Sequence, residues 1–348
     1  MILIDALKVK KEYGEKLKRY LARRNLLNKE YTLLSDNSFI YLPVTEATAG
    51  DLEELKKRFG AIPTRKHLPR RKTEQYGKIV SSIIGNRSGN ITKRYDLLGN
   101  IAIIEADKQY ARKIATAIMR LNKNVESVYR KAGAVSGKYR TREYKYVAGK
   151  RIYVATYKEN GCIFKFDIRK VFFSPRLGYE RGRIAAQAGD RENVIVMFAG
   201  VGPFAIEIAK KHHTSRVVAI ELNRQAVRYM KENAILNKVE NVVPVAGDVK
   251  KVAAKYVGYA DRIVMPLPKS SEKFLEEAFK VAKRQAIVHY YSFTDANDPF
   301  KSLEEKLGAF FKARKAKISI LNERIVRPYS ARTVEVVIDF RIEKSEGF

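Results

Sequence analysis

The 348 residues carry 69 Lys and Arg against 38 Asp and Glu, a formal charge of +31, and are 45% hydrophobic, a globular mixture long enough for two or three domains of roughly 100–200 residues. One cysteine, Cys162, excludes an internal disulfide and a Cys-based zinc site, and the longest uncharged run, Val194 to Ile206, is shorter than the ~20 residues of a membrane span. The charged N-terminus lacks the apolar block of a signal peptide, so a soluble cytoplasmic protein is expected, and an excess charge of this size points to a polyanionic partner, nucleic acid first.

Residues 1–62 read as a small α+β unit: a strand near Ile2–Val9, a helix over Lys11–Leu27, strands at Tyr31–Ser35 and Ser38–Val44 turning at Asn37, and a helix over Thr48–Gly60. Residues 63–78 hold two prolines and clustered basic side chains without apolar periodicity, and read as a basic linker. Residues 79–173 read as a second α+β domain with strand Ile101–Ala106, helix Asp107–Lys123, strand Glu126–Ala132 and a hairpin over Tyr153–Ile168 that turns at Asn160-Gly161. Between them, Lys131–Arg151 interleaves basic residues with Tyr139, Tyr144 and Tyr146, which suits phosphate contacts plus base stacking or an exposed strand pair. Residues 1–170 carry a net +21 and the remainder +10, so the first half is expected to be the main grip on an RNA.

Residues 174–348 change character. An apolar strand, VIVMF, enters the turn Ala199-Gly200-Val201-Gly202, continues into a helix, and is followed by a second apolar strand ending at Glu221: a βαβ unit. Glycines at such a turn let backbone approach a ligand, and an acid about 20 residues on accepts hydrogen bonds from ribose hydroxyls. A third strand ends at Asp248, placed to meet an adenine edge. Bulky Pro203 and Phe204 stand where a pyrophosphate loop prefers a small residue, which favours S-adenosylmethionine over a dinucleotide. The expected fold is α/β, a doubly wound Rossmann-like class I methyltransferase domain behind two smaller α+β domains.

FSPRLGYERGRIA, then MFAGVGPF, DRIVMPLPKS and IVHYY, in this order and spacing, resemble the archaeal and eukaryotic tRNA guanosine-37 N1-methyltransferases over nearly the whole chain. The resemblance implies that the N-terminal unit reads the tRNA body and that the other two domains hold the anticodon loop with base 37 flipped out. It makes Glu180 the base that removes the guanine N1 proton and Arg140 the cation near O6. It makes Arg181 a cofactor contact and places Phe198, Gly200, Val201, Glu221, Leu222, Asp248 and Val249 around the cofactor. Phe172, Tyr179, Arg176 and Arg142 are substrate-side candidates. On the residues alone, Glu180 also reads as a helix acid paired with Arg176 or Arg183, Arg140 as a phosphate clamp, and Phe172 and Tyr179 as interface fillers.

Two positions depart from the family pattern. Val196 replaces an acid that contacts the cofactor's amino group, and Pro266 replaces an asparagine at the strand end beside the base, leaving neither an amide nor a backbone N–H. Such a site discriminates less sharply against an altered base. Archaeal members that act both at guanosine 37 and at C7 of 4-demethylwyosine show a similar pattern, and a bifunctional, monomeric member is expected. Aminocarboxypropyl transfer from the same cofactor and a non-catalytic RNA-binding protein are the alternatives. No metal is expected, since His67, His212, His213 and His289 are scattered; His289 reads as packing at a strand end and Cys162 as a small buried hydrophobe.

Overall fold

The structure, a computed structural model, describes residues 2–45, 47–70, 81–82, 95–133, 137 and 139–345. Strand β1 (Ile2–Lys10) alternates, sending Leu7 and Val9 to one face and Ala6 to the other. It pairs antiparallel with β3 (Phe39–Pro43) and β4 (Ile62–Leu68), and β2 (Leu34–Ser35) completes the order β2-β3-β1-β4. Helices α1 (Lys11–Arg23) and α2 (Ala49–Phe59) press Leu17, Leu21, Leu55 and Phe59 onto the Leu7 face. A reciprocal Thr48–Asp51 capping box starts α2, and Gly60, at φ 63°, ends it.

Strand β4 corrects the expected linker. Residues 62–68 are paired along β1 from Ile2↔Leu68 to Lys8↔Ile62, so the first sheet continues past residue 62. Two prolines obscure a strand in the sequence, but an edge strand tolerates a missing N–H. Residues 71–78 of that segment, with 79–80 and 83–94 of the next domain, lie outside the described residues.

The chain divides into two compact units, Met1–Tyr95 with Glu105–Lys123, and Asp96–Ile104 with Asn124–Phe348. Neither limit of the expected 79–173 domain is a limit of these units. Helix α3 (Lys108–Leu121) belongs to the first. The second contains the sheet formed by β5 (Tyr95–Leu98), β6 (Ile101–Ile104), β7 (Ser127–Lys131) and β8 (Tyr144–Gly149), and the hairpin of β9 (Val154–Glu159) and β10 (Cys162–Asp167). Asn160 (φ 46°) and Gly161 (φ 75°) both adopt the left-handed conformation, as a two-residue hairpin turn requires.

The large sheet has the order β13-β12-β11-β14-β15-β17-β16. Strands β11 (Asn193–Met197), β12 (Arg216–Glu221), β13 (Val242–Ala246), β14 (Ala260–Met265) and β15 (Ala282–Asp295) run parallel; β17 (Thr333–Lys344) is antiparallel to β15, and β16 (Ala316–Pro328) to β17. Val194 and Val196 of β11 face one core and Ile195 and Met197 the other, so the strand is buried on both faces, as a parallel sheet covered by helices requires. The connecting helices are α4 (Gly178–Gln187), α5 (Pro203–Lys211), α6 (Arg224–Leu236), α7 (Val249–Val252), α8 (Leu275–Val281) and α9 (Lys301–Lys312). His212 and His213 follow the end of α5.

The hairpin is held to α6 by side-chain amides. Asn233 accepts from the Lys165 N–H at 2.7 Å and donates to the Lys165 carbonyl at 3.2 Å; Asn237 does the same for Ile163 at 2.8 and 2.6 Å. Asn160, at the turn, donates to the Gly178 carbonyl and to Glu207, both at 2.8 Å.

Candidate active site

Strand order reverses at β11, which has β12 on one side and β14 on the other, and in open parallel sheets ligands bind at the carboxyl ends of strands beside such a reversal. A cavity of about 490 Å³ lies there. Phe198 and Gly200 from the end of β11, Glu221 and Leu222 from β12, Asp248 and Val249 after β13, and Pro266 after β14 all line it. The turn after β11 is tightly wound: Phe198 (φ 56°), Gly200 (φ 58°) and Gly202 (φ 89°) are left-handed, and a Cβ on Gly202 would come within 2.6 Å of Met230.

Glu221 accepts the Gly200 N–H and the Asn223 N–H, each at 2.8 Å, on separate oxygens, which leaves each oxygen a second lone-pair site. Burial raises its pKa, opposed by these backbone bonds. Asp248 accepts the Lys250 N–H at 2.9 Å and so caps α7. After β14 the Leu267 N–H turns back to the Met265 carbonyl at 2.9 Å. Prolines at 266 and 268 remove the backbone N–H at those two positions, while Lys269 and Ser270 beside them keep side-chain donors in the wall.

The opposite wall carries Arg140, Phe172, Tyr139 and Tyr329. Arg140 is left-handed (φ 53°), and its guanidinium lies 4.7 Å from the Phe172 ring centre. Burial lowers its pKa, and the charge of Glu335 acts against that. Glu335 is buried, with one oxygen 2.5 Å from Arg327 and the other without a hydrogen bond.

Glu180 and Arg181, adjacent on α4, are each 2% exposed, and neither lines the cavity. Glu180 lies between Arg183, Tyr291 and Arg324. Arg324 sits opposite Val337 in the β16/β17 ladder, and Arg327 opposite Glu335. Two residues along a strand is about 7 Å on one face, so the Glu180 group and the Glu335–Arg140 group occupy neighbouring rungs. Arg181, expected at the cofactor, instead donates from Nη2 to Glu159 at 2.7 Å and to the Ser174 carbonyl at 3.1 Å, while its Nε lies 2.7 Å from the other Glu159 oxygen without an aligned hydrogen bond and 3.7 Å from Glu207. Burial first, and the charge of Glu159 second, push the Glu207 pKa up to about 8.

Other expected residues are also placed elsewhere. Val201 is fully buried, with its carbonyl accepting from Asn233. Arg176 pairs with Asp96 at 2.9 Å, Arg142 is half-buried ahead of β8, and Tyr179 is 60% exposed under the Arg324 guanidinium; none lines the cavity. His289 is not at a strand end but inside β15, fully buried, with Nδ1 2.7 Å from Asp339 and Nε2 2.8 Å from Arg262. Burial lowers its pKa, and an arginine donating to Nε2 fixes the neutral form with the proton on Nδ1. Sequence reasoning missed Lys269, Ser270, Phe274 and Tyr329 in the cavity wall, although the PLPKS segment contains the first two. Among the described residues, no group of three or more His, Cys, Asp or Glu could hold a metal ion, and no helix is long and apolar enough to cross a membrane.

Comparison with known proteins matches this architecture. Residues 155–321 match the TRM5/TYW2 methyltransferase domain, 6–53 the tRNA methyltransferase 5 N-terminal domain and 77–152 the TYW2 N-terminal domain. The tRNA (guanine(37)-N(1))-methyltransferase Trm5b of Pyrococcus abyssi is 36% identical, over 97% of this chain and 98% of its own length. The tRNA (guanine(37)-N(1))/4-demethylwyosine(37)-methyltransferase Taw22 of Nanoarchaeum equitans is 31% identical, over 68% of this chain and 97% of its own. The solved complex of aTrm5 with tRNALeu has a TM-score of 0.68 at 31% identity, covering 97% of this chain and 99% of that one. The chain belongs to the TRM5/TYW2 methyltransferase family.

Proposed function

We propose that this protein methylates N1 of guanosine 37 in tRNA, using S-adenosylmethionine, and also C7 of 4-demethylwyosine at the same position. The observation that carries the reading is the convergence of four strand ends and Arg140 on one cavity. Its 490 Å³ lies within the 300–1,000 Å³ of small-molecule sites. The donor set fits the cofactor: Glu221 for ribose hydroxyls, Asp248 for an adenine edge, Leu222 and Val249 for the faces of a planar ring, and a left-handed Gly200 where a side chain would be strained. When bound, S-adenosylmethionine supplies a methyl group activated by a positively charged sulfur.

The protein's own task is to hold the base and manage its proton. Guanine N1 is protonated at neutral pH, so its proton must leave as the bond to carbon forms. Glu180 accepts it, and Arg140, held between Phe172 and the Glu335 charge, stabilises the negative charge that develops on O6. A base stacked in the anticodon loop would be out of reach, so the target is flipped out. The lack of both an amide and a backbone N–H at Pro266 supports the second activity, because no fixed donor at that position rejects a tricyclic base. The +31 charge supports binding of the RNA backbone.

Mass spectrometry of nucleosides from guanosine-37 and 4-demethylwyosine tRNAs after reaction tests both parts. A methyl group on N1 of the first and on C7 of the second is expected. Unmodified guanosine 37 overturns the reading, and an aminocarboxypropyl product replaces it with the other chemistry of the cofactor.

A further inference from the structure

Three groups hold the Glu180 carboxylate, and they are not equally fixed. Arg183, on the same helix, donates from Nε to Oε2 at 3.0 Å. The Tyr291 hydroxyl of β15, fully buried, donates to the same oxygen at 3.0 Å. Behind Arg183 stands Asp339 of β17, which His289 holds at 2.7 Å and Asn322 of β16 at 3.1 Å. Although burial works against both charges of the Arg183–Asp339 pair, their mutual attraction and hydrogen bonds outweigh it, raising the pKa of Arg183 and holding Asp339 at about 2. This side of Glu180 is closed.

Arg324 is different. It belongs to β16, the edge of the large sheet, and its Nε lies 2.9 Å from Oε1 without an aligned hydrogen bond. Its side chain is 36% exposed, and its guanidinium also lies 4.3 Å from the centre of the Tyr179 ring, itself largely in solvent. While it stays, a cation competes with the substrate proton for Oε1.

We infer that Arg324 is a removable counter-ion that covers Glu180 in the free enzyme and transfers to a backbone phosphate of the incoming RNA, uncovering the base as the substrate docks. This rests on Glu180 being the proton acceptor. Phosphate is a suitable receiver because a guanidinium binds it through parallel charged hydrogen bonds, and phosphates are what an approaching RNA presents first. Losing the cation also leaves Oε1 free to accept at the moment a proton must be taken. Arg324 is thus a positioning residue, acting through Glu180.

Single-turnover methylation across pH, at saturating and at subsaturating enzyme, tests this with R324Q, R324K and E180Q. The subsaturating rate reports the free enzyme and the saturating rate the complex. In R324Q, which lacks the covering cation in the free enzyme, the acid limb of the subsaturating rate should move to higher pH. The acid limb of the saturating rate should stay at the wild-type position, because Arg324 has already left in the complex. R324K, which keeps the charge, should restore both limbs. A shift in both limbs would show that Arg324 remains on Glu180 in the complex, and a shift in neither that it never controls the base; either overturns the inference. E180Q reads the underlying assignment separately: near-wild-type rates there remove Glu180 as the base, whatever R324Q does.

Discussion

Glu180 and Arg181 are consecutive and equally buried, yet α4 sends them into two ion clusters of opposite character. Arg181 serves two acids, Glu159 and Glu207, in a closed site beneath the Phe173 ring, 5.1 Å from the guanidinium. One cation is shared between two buried carboxylates, and burial first, with the Glu159 charge second, pushes the Glu207 pKa up to about 8. Around Glu180 the count is even, with Arg183 shared between Glu180 and Asp339 and Arg324 facing Glu180 alone, and Arg324 is partly accessible. A step of one residue, about 100° around the helix, therefore separates an ion cluster that fixes the hairpin and α5 from one with an accessible partner. Burial alone does not distinguish a structural charge from a reactive one; the ratio of counter-charges and the exposure of the loosest partner do.

The comparison can be broken at either residue. Glu180→Gln should lower single-turnover methylation by roughly 10²–10⁴ while cofactor affinity, read by calorimetry, is kept. Arg181→Met should act the other way round. It leaves two acids buried without a cation and should cost roughly 3–5 kcal/mol of stability in denaturant unfolding, with cofactor affinity of the folded fraction preserved. A cofactor affinity that collapses with intact stability would return Arg181 to the cofactor site. Asn237→Ala loosens the hairpin that presents Glu159, and should cost roughly 1–3 kcal/mol by the same measurement, because the backbone groups of Ile163 lose their partners.

The smallest effect has the opposite sign. Glu207 holds its proton in the folded protein up to about pH 8, whereas an unfolded Glu releases it near pH 4.3. Between these values the folded state binds the extra proton, so stability should fall as pH rises through that window. Glu207→Gln should remove this slope and raise the melting temperature at pH 8 by about 2–5 °C. An unchanged slope would mean that Glu207 is ionised in the fold and that the two clusters are more alike than their charge ratios suggest.

What the sequence shows of this molecule is what neighbouring residues decide. The Asn160-Gly161 turn, the left-handed glycines after β11 and the acids closing β12 and β13 are local signals, and of these Gly200, Glu221 and Asp248 lie on one side of the cavity. Strand β4 was hidden because an edge strand needs neither full alternation nor every N–H. The partners of Arg181 were hidden for another reason: Glu159 and Glu207 reach it from a hairpin and from α5, and no periodicity encodes such a meeting. Tyr329 and Glu335 come to Arg140 from nearly 200 residues away, through the pairing of β16 with β17.

The amide clamp between α6 and the hairpin has a geometric consequence. One helical turn, from Asn233 to Asn237, advances about 6 Å, and two residues of a strand, from Ile163 to Lys165, advance about 6.7 Å. Because the two repeats nearly coincide, a helix can read the free edge of a strand rung by rung, and α6 stands in for a third strand beside β10. An exposed edge that would otherwise recruit another chain is sealed by side chains alone. The match holds only for residues four apart, so inserting one residue between the two asparagines would turn the second away by about 100° and unzip the hairpin from the helix.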